Sequence, residues 1–182
     1  MSVVLTKEGS ESLSMQILQQ TIDIRIRFAN PKDIPVLGEL WVYHRRYHEQ
    51  WDKRYATIPS AQERWEEQIE LYLNHPNHCV LVAEDKLGKV IGYVHGSFHS
   101  WPMSPFQIYG SLNSITVAEE AQGQGIGKNL IQLLLKWFKK HQVQHISLYV
   151  DYRNQNALKL YYKTGFRAYQ QRLMLNLEKI PL

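Results

Sequence analysis

Gly123, Gly125 and Gly127 alternate with larger residues in one short run, Gln122-Gly123-Gln124-Gly125-Ile126-Gly127-Lys128, between a β-rich stretch and an amphipathic helical one. At a strand-to-helix junction the free N–H groups of the first helical turn and the positive end of the helix dipole converge. That combination holds a phosphate or similar anion. Glycine matters because a side chain there would keep the anion's oxygens away from the amides. Two better-known nucleotide motifs fail on the same letters. A Walker loop needs glycine and Ser or Thr where Gln122 and Asn129 stand, and a dinucleotide fingerprint started at Gly123 needs its third glycine at Lys128.

What fits without a gap is Gln/Arg-x-x-Gly-x-Gly/Ala, read here as Gln122-x-x-Gly125-x-Gly127 after the apolar Ile115-Thr116-Val117. Downstream, Asn154-x-x-Ala157-x-x-x-Tyr161-x-x-x-Gly165-Phe166 is a second pattern in register. Together they resemble the GNAT superfamily of acyl-CoA-dependent N-acyltransferases, over residues 22–177. The resemblance implies acetyl-CoA as cosubstrate and no metal. Carried over residue by residue, Ile115, Thr116 and Val117 would pair with the pantetheine arm through their backbone. Gln122, Gly123, Gln124, Gly125, Ile126, Gly127 and Lys128 would grip the pyrophosphate, with Asn154 a further contact. A backbone N–H of the same strand, such as that of Val117, would meet the oxyanion. Tyr161 matches the family's tyrosine and would protonate the departing thiolate. With an ordinary phenol pKa of about 10 it is protonated at neutral pH. Read on spacing alone, Tyr161 serves equally as a core aromatic and Asn154 as a helix N-cap.

A general base is not singled out. Some members of the family carry a carboxylate two residues before the position of Ile115, where this chain has Asn113. Water, His95, His99, Glu119 and Glu84 remain as routes for the proton. On the acceptor side, Trp41, His44, His48, Trp51 and Tyr55 with Glu49 and Asp52 combine aromatic faces and acid groups, a pattern that suits a cation. Trp51, Asp52 and His95 are therefore expected to contact the amine. The same residues also make an ordinary apolar helix face with solvated charges. Cys79, next to Val80-Leu81-Val82, reads as a small buried hydrophobe.

These residues need a scaffold, and the hydrophobic period supplies one. Ile22, Ile24, Ile26 and Phe28 alternate with polar residues and predict an opening strand. Asn30-Pro31-Lys32-Asp33 starts a helix running to about His48, and the capping box Ser60-Ala61-Gln62-Glu63 starts a second. Runs at 79–84 and 90–99, joined by a glycine-containing turn, predict a hairpin, and 108–117 a further strand. Residues 128–141 read as a helix with Leu130, Leu134, Trp137 and Phe138 on one stripe. A strand at 145–151, a helix at 154–164 capped by Gly165, and a closing strand at 166–177 complete the order. The expected fold is mixed α/β: a mostly antiparallel central sheet, strands four and five splayed, helices on both faces. Residues 1–21 are expected to form a flexible extension and 22–182 a single acetyltransferase domain.

Composition narrows the partners. Lys+Arg 21 against Asp+Glu 17 gives a net charge of +4 on 182 residues, spread too thinly for a nucleic-acid face. No run of about 18 apolar residues offers a membrane span. One cysteine excludes an intramolecular disulfide and a Cys-based zinc site. With no readable secretory leader, a reducing, cytoplasmic setting is expected. The partner is then a small-molecule or peptide amine, with a homodimer compatible. The competing function is an acyl-CoA-binding sensor of the same fold that has lost turnover, which Asn113 favours and Tyr161 opposes.

Overall fold

The computed structural model describes residues 24–103 and 108–177. The expected extension at 1–21 and the first positions of the expected opening strand lie outside the described residues. The chain divides into two compact units, one ending at Tyr149 and the other beginning at Val150.

The first unit is built on five strands in the order β1-β2-β3-β4-β5: β1 (Arg25–Phe28), β2 (His78–Glu84), β3 (Val90–Ser100), β4 (Ile108–Val117) and β5 (His145–Ser147). The first three pairings are antiparallel and β4–β5 is parallel, the mixed sheet that the sequence predicts. A parallel pair needs a crossover. The helix α3 (Ile126–Lys140) supplies it. In the β2–β3 hairpin, Asp85 Oδ1 accepts from the amides of Leu87 and Lys89 at 2.9 Å each, and Gly88 takes the left-handed φ of 79°.

Two helices, α1 (Ile34–Glu49) and α2 (Ala61–Leu73), cover one face. Leu37, Leu40 and Ile69 pack there on Val80, Val82, Val90 and Tyr93. Gly96 points oppositely to Tyr93 by strand alternation, toward Leu134 and Phe138 of α3. Ile126, Leu130, Ile131, Leu134 and Phe138 form the buried stripe of α3, with Trp137 only partly covered. An isolated 15-residue helix is marginal in water. Burying each large side chain contributes about 1.5–3 kcal/mol, so packing on the sheet decides that α3 forms.

Local signals account for most helix starts. Asn30 Oδ1 accepts from Lys32 N at 3.0 Å and Asp33 Oδ2 accepts from Asn30 N at 2.8 Å, a capping box around the 3₁₀ turn Pro31–Asp33. Asp33 also receives Arg27 in a two-pronged ion pair at 2.7 and 2.9 Å, and Arg27 Nε reaches Glu84 at 2.8 Å. This half-buried trio ties β1 to β2 and to the start of α1. The expected capping box at Ser60 does not form. Ser60 sits at the α2 N-cap with φ −86° and ψ 10°, a turn conformation that keeps Oγ off the third amide.

In the second unit α4 (Gln155–Lys163) starts on Asn154, whose Oδ1 accepts from Ala157 N at 3.0 Å. It ends at Gly165, φ 103°, with Gly165 N donating to Tyr162 O and Phe166 N to Tyr161 O. That double bond pattern is the glycine-terminated helix end expected. The expected closing strand at 166–177 is not formed: these residues are non-strand, and Leu173, Leu175 and Leu177 are exposed. Alternation marks which side chains a strand would bury, but a ladder needs an edge, and the described residues of this unit contain no other strand. The fifth strand is likewise shorter than its expected 145–151.

A Cβ added at Gly96 would lie 2.7 Å from Leu134 Cδ1 and 2.9 Å from Phe138 Cζ. Gly96→Ala should therefore destabilise the protein by about 1–3 kcal/mol through overpacking. Urea denaturation measures it, and an unchanged midpoint would mean that α3 yields without cost.

Candidate active site

β4 and β5 pair only at Tyr109↔His145, Gly110↔Ile146 and Ser111↔Ser147. Beyond Ser111 the two chains diverge while β4 continues to Val117, so this stretch of β4 has β3 on one side and no strand on the other. The splay predicted for strands four and five is present. A cavity of about 160 Å³ occupies the fork, lined by Ser111, Leu112, Asn113, Ser147, Leu148 and Tyr149. On the β3 side, His95 faces Ser114 and Gly96 faces Leu112, which leaves Asn113 as the extra residue of a β-bulge. Bulges re-aim a side chain, and this one sits at the vertex of the fork.

At the other end of β4 the chain makes a 3₁₀ turn, Glu119–Ala121, and enters the glycine run. Gly123 and Gly125 have φ of 78° and 80°, and a Cβ on either would meet nothing within 4 Å. Gly125 is the N-cap of α3, no side chain caps that terminus, and its first turn contains no acidic residue. Among the described residues nothing caps these amides, and they and the dipole are presented to solvent. The structure separates side chains from backbone among the expected ligands. Ile126 is 1% exposed and Thr116 5%, so neither side chain is available to a ligand. Gln122 Nε2 donates to Val117 O at 3.0 Å and to Tyr43 Oη at 3.3 Å, which makes its side chain a tie between loop and strand.

His95 is buried beside the fork. Its Nε2 lies 3.0 Å from His78 Nδ1 and 3.4 Å from Asn113 Nδ2, and Asn113 Nδ2 donates to Ser97 Oγ at 2.8 Å. Tyr72 of α2 stacks on both imidazoles, at 4.0 Å from His78 and 5.1 Å from His95. Burial, with His78 adding to it, pulls His95 down to about 3. His78 is also lowered, chiefly by burial. His95 is therefore a neutral hydrogen-bonding group at physiological pH. Of the other proton routes, Glu84 is committed to Arg27, Glu119 is exposed on the 3₁₀ turn, and His99 stacks on Tyr109.

Trp51 and Asp52 belong to the exit of α1. Asp52 Oδ1 accepts from Arg54 N at 3.0 Å, capping the turn Lys53–Tyr55, and its carboxylate pairs with the Arg54 guanidinium. Arg45 lies 4.6 Å over the Tyr55 ring and 5.8 Å over Trp41, and donates to Arg54 O at 2.9 Å. The acid-and-aromatic pattern thus receives cations from the chain itself. Asn154 and Tyr161 lie in the second unit. Tyr161 is 7% exposed, contacts Phe166 edge-on at 5.8 Å across the helix end, and is pushed up to about 12 by burial. Cys79 is buried and raised to about 12, as an inert small hydrophobe would be.

Sequence reading missed the bulge and the partners His78 and Ser97. Once β2, β3 and β4 are aligned, these residues share a face; no single stretch of sequence contains that signal.

The profile of the acetyltransferase (GNAT) family matches residues 42–166. The chain is 41% identical over 58 residues to the uncharacterized N-acetyltransferase YobR of Bacillus subtilis, covering 32% of this chain and 24% of that protein. It is 33% identical over 86 residues to a mycothiol acetyltransferase of Renibacterium salmoninarum, covering 47% and 25%. The matched stretch spans about a quarter of these relatives' length. The crystal structure of a "predicted acetyltransferase with acetyl-CoA" from Clostridium acetobutylicum superposes with a TM-score of 0.69 at 19% identity, over 86% of this chain and 98% of that one. That last likeness is one of fold.

Burial of neutral histidines makes stability pH-dependent. His95 falls to about 3 and His44 to about 4, mainly by desolvation, against about 6.5 in an unfolded chain. Their contribution is complete above pH 6.5 and is lost as the pH falls toward the folded values, at up to about 1.4 kcal/mol per pH unit for each. Denaturation at pH 7 and pH 5 should show this loss, and His95→Gln should make it shallower. Equal slopes in the two proteins would show that His95 is not buried neutral.

Proposed function

This chain belongs to the GNAT acetyltransferase family, and from that premise we propose that it moves an acetyl group from acetyl-CoA to a primary amine by direct attack through a tetrahedral intermediate. The observation that carries the reading is the continuity of β4. One strand leads from a fork with an open backbone edge to a glycine turn with open amides. From Asn113 to Val117 it advances four steps of about 3.3 Å, or about 13 Å, before the turn begins. A ligand with an amide-bearing arm between a thioester and a diphosphate has groups for each part of this path.

In this reading the arm's amides pair with the backbone of Ile115, Thr116 and Val117, replacing the ladder bonds that β5 does not make. The amides of residues 123–128 and the α3 dipole take the diphosphate, with Lys128 adding charge. The thioester carbonyl lies in the fork, where a β4 backbone N–H receives the developing oxyanion. A neutral amine attacks, the intermediate collapses, and the C–S bond breaks. Tyr161 donates its phenolic proton to the departing thiolate, and a phenol held near 12 carries that proton at neutral pH. Asn154 caps α4 and so holds the start of the helix that bears Tyr161. The acceptor is a small-molecule or peptide amine.

The uncharged Asn113 in the fork favours a second reading, an acyl-CoA sensor without turnover, because an amide takes no proton from an amine. Turnover separates the two. Acetyl-CoA should raise the melting temperature under either, by mass action. Gly125→Val should abolish the shift measured from its own baseline, because the side chain fills the space before the amides; a retained shift would move the anion site elsewhere. Tyr161→Phe should lower kcat by about 10²- to 10⁴-fold with acetyl-CoA binding preserved. A kcat within twofold of wild type would return Tyr161 to packing.

A further inference from the structure

The pairing of β4 with β3 fixes which of its backbone groups face the open edge. Ala118 N donates to Ile91 O at 2.8 Å, one step beyond the ladder pair Gly92↔Val117. In an antiparallel ladder alternate residues turn their N–H and C=O toward the partner, and the residues between them turn theirs away. With Ala118 bonded to β3, Val117 and Ile115 direct their groups to the other side. Val117 is the last residue of the strand, so its carbonyl is the edge acceptor nearest the glycine turn.

That carbonyl already has a partner from the chain itself. Gln122 Nε2 donates to Val117 O at 3.0 Å and to Tyr43 Oη of α1 at 3.3 Å. These bonds span the 3₁₀ turn Glu119–Ala121, yet the turn is held without them. Ala121 N donates to Ala118 O at 2.9 Å and Gln122 N to Glu119 O at 3.2 Å, and Gln122 has an ordinary extended backbone, φ −70° and ψ 160°. Gln122 is exposed, so its side chain can swing into water while the backbone leading to Gly123 stays in place.

A primary amide on Val117 O is the same kind of donor as an amide N–H of an arm laid along the β4 edge. We propose that Gln122 is a positioning residue whose side chain holds the Val117 carbonyl until the amide-bearing arm of acetyl-CoA displaces it, with Tyr43 setting how firmly it competes. This rests on the acetyltransferase reading above. The exchange trades one neutral amide–carbonyl bond for another, so the arm gains little at this point while the side chain is there to be displaced. Against water alone the same bond is worth a factor of about 2 to 10. Tyr43 strengthens the competitor because its hydroxyl restricts the rotamers of the Gln122 side chain before the arm arrives. Diphosphate binding at the turn uses backbone amides and leaves this bond alone.

The test is titration calorimetry of the full chain with two ligands: acetyl-CoA, and ADP, which has the diphosphate and no arm. Gln122→Ala should tighten acetyl-CoA binding by about 2- to 10-fold and leave ADP binding unchanged. Tyr43→Phe should tighten acetyl-CoA by a smaller factor and add nothing in the Gln122→Ala background, because a group that acts through another has no effect once the other is gone. In nitrogen-15 spectra, the side-chain amide signal that Gln122→Ala removes should shift when acetyl-CoA is added to the wild type and stay in place with ADP.

A side chain that grips the ligand has the opposite sign, so weaker acetyl-CoA binding by Gln122→Ala overturns the inference. An unchanged affinity overturns it as well, since Val117 O would then accept from Gln122 and the arm together through its two lone pairs. Equal gains for acetyl-CoA and ADP would show that the substitution altered the turn rather than removed a competitor. A wild type that binds no acetyl-CoA would overturn the acetyltransferase reading itself, and this one with it.

Discussion

Three residue pairs of parallel ladder join β4 to β5, and then the pairing stops. Everything of functional interest follows from that interruption. A strand with an open edge exposes N–H and C=O groups that must be satisfied by something, and edges left open in a sheet are normally blunted or covered. Here the open stretch of β4 runs straight into a glycine turn at a helix N-terminus, so the unsatisfied groups of strand and helix form one continuous track. The bulge at Asn113 sits where ladder gives way to fork.

The remainder of the first unit keeps that edge where it is. The trio of Arg27, Asp33 and Glu84 fastens the far edge of the sheet to the start of α1. Asp33 is held below the usual carboxylate range by the Arg27 hydrogen bonds, so the Arg27–Asp33 pair stays ionised throughout the physiological range. On the other face, Phe138 approaches Gly96 of β3 and Gly110 of β4 so closely that a Cβ at either would lie 2.9 Å from its ring. That close approach seats α3 on the sheet, and the N-terminus of α3 is the glycine turn. Packing at the helix's buried stripe and anion binding at its first turn are thus two consequences of one placement.

Electrostatics in this unit are divided by location. Ion pairs lie at the sheet's far edge, at the exit of α1, where Arg45 and Arg54 occupy the aromatic and acidic groups, and between Lys89 and Glu120 beside the turn that follows β4. The region around the fork holds neutral dipoles: hydroxyls, one amide, and imidazoles that burial keeps unprotonated.

The glycine run and the tyrosine pattern were legible in the sequence, since local geometry imposes them. Only glycine tolerates a φ near 80° before a helix whose amides must stay open, and only a helix end gives Gly165 its place after Tyr161. The hairpin turn, the Asn30 cap and the buried stripe of α3 were legible for the same reason: each depends on residues a few positions apart. The sequence alone was insufficient wherever a partner from another strand decides the outcome. The segment 166–177 alternates like a strand yet forms none, because alternation says nothing about an available edge. Ser60 has the letters of a capping box without the backbone angles. The acid-and-aromatic cluster at Trp51 and Asp52 reads as a cation site until Arg45 and Arg54 are seen within it. The contact of His95 with His78 and Asn113, and of Asn113 with Ser97, exists only through the registers of three strands and a one-residue bulge. A bulge shifts every later side chain relative to its neighbour strand, and such a shift is a property of the pairing rather than of either strand.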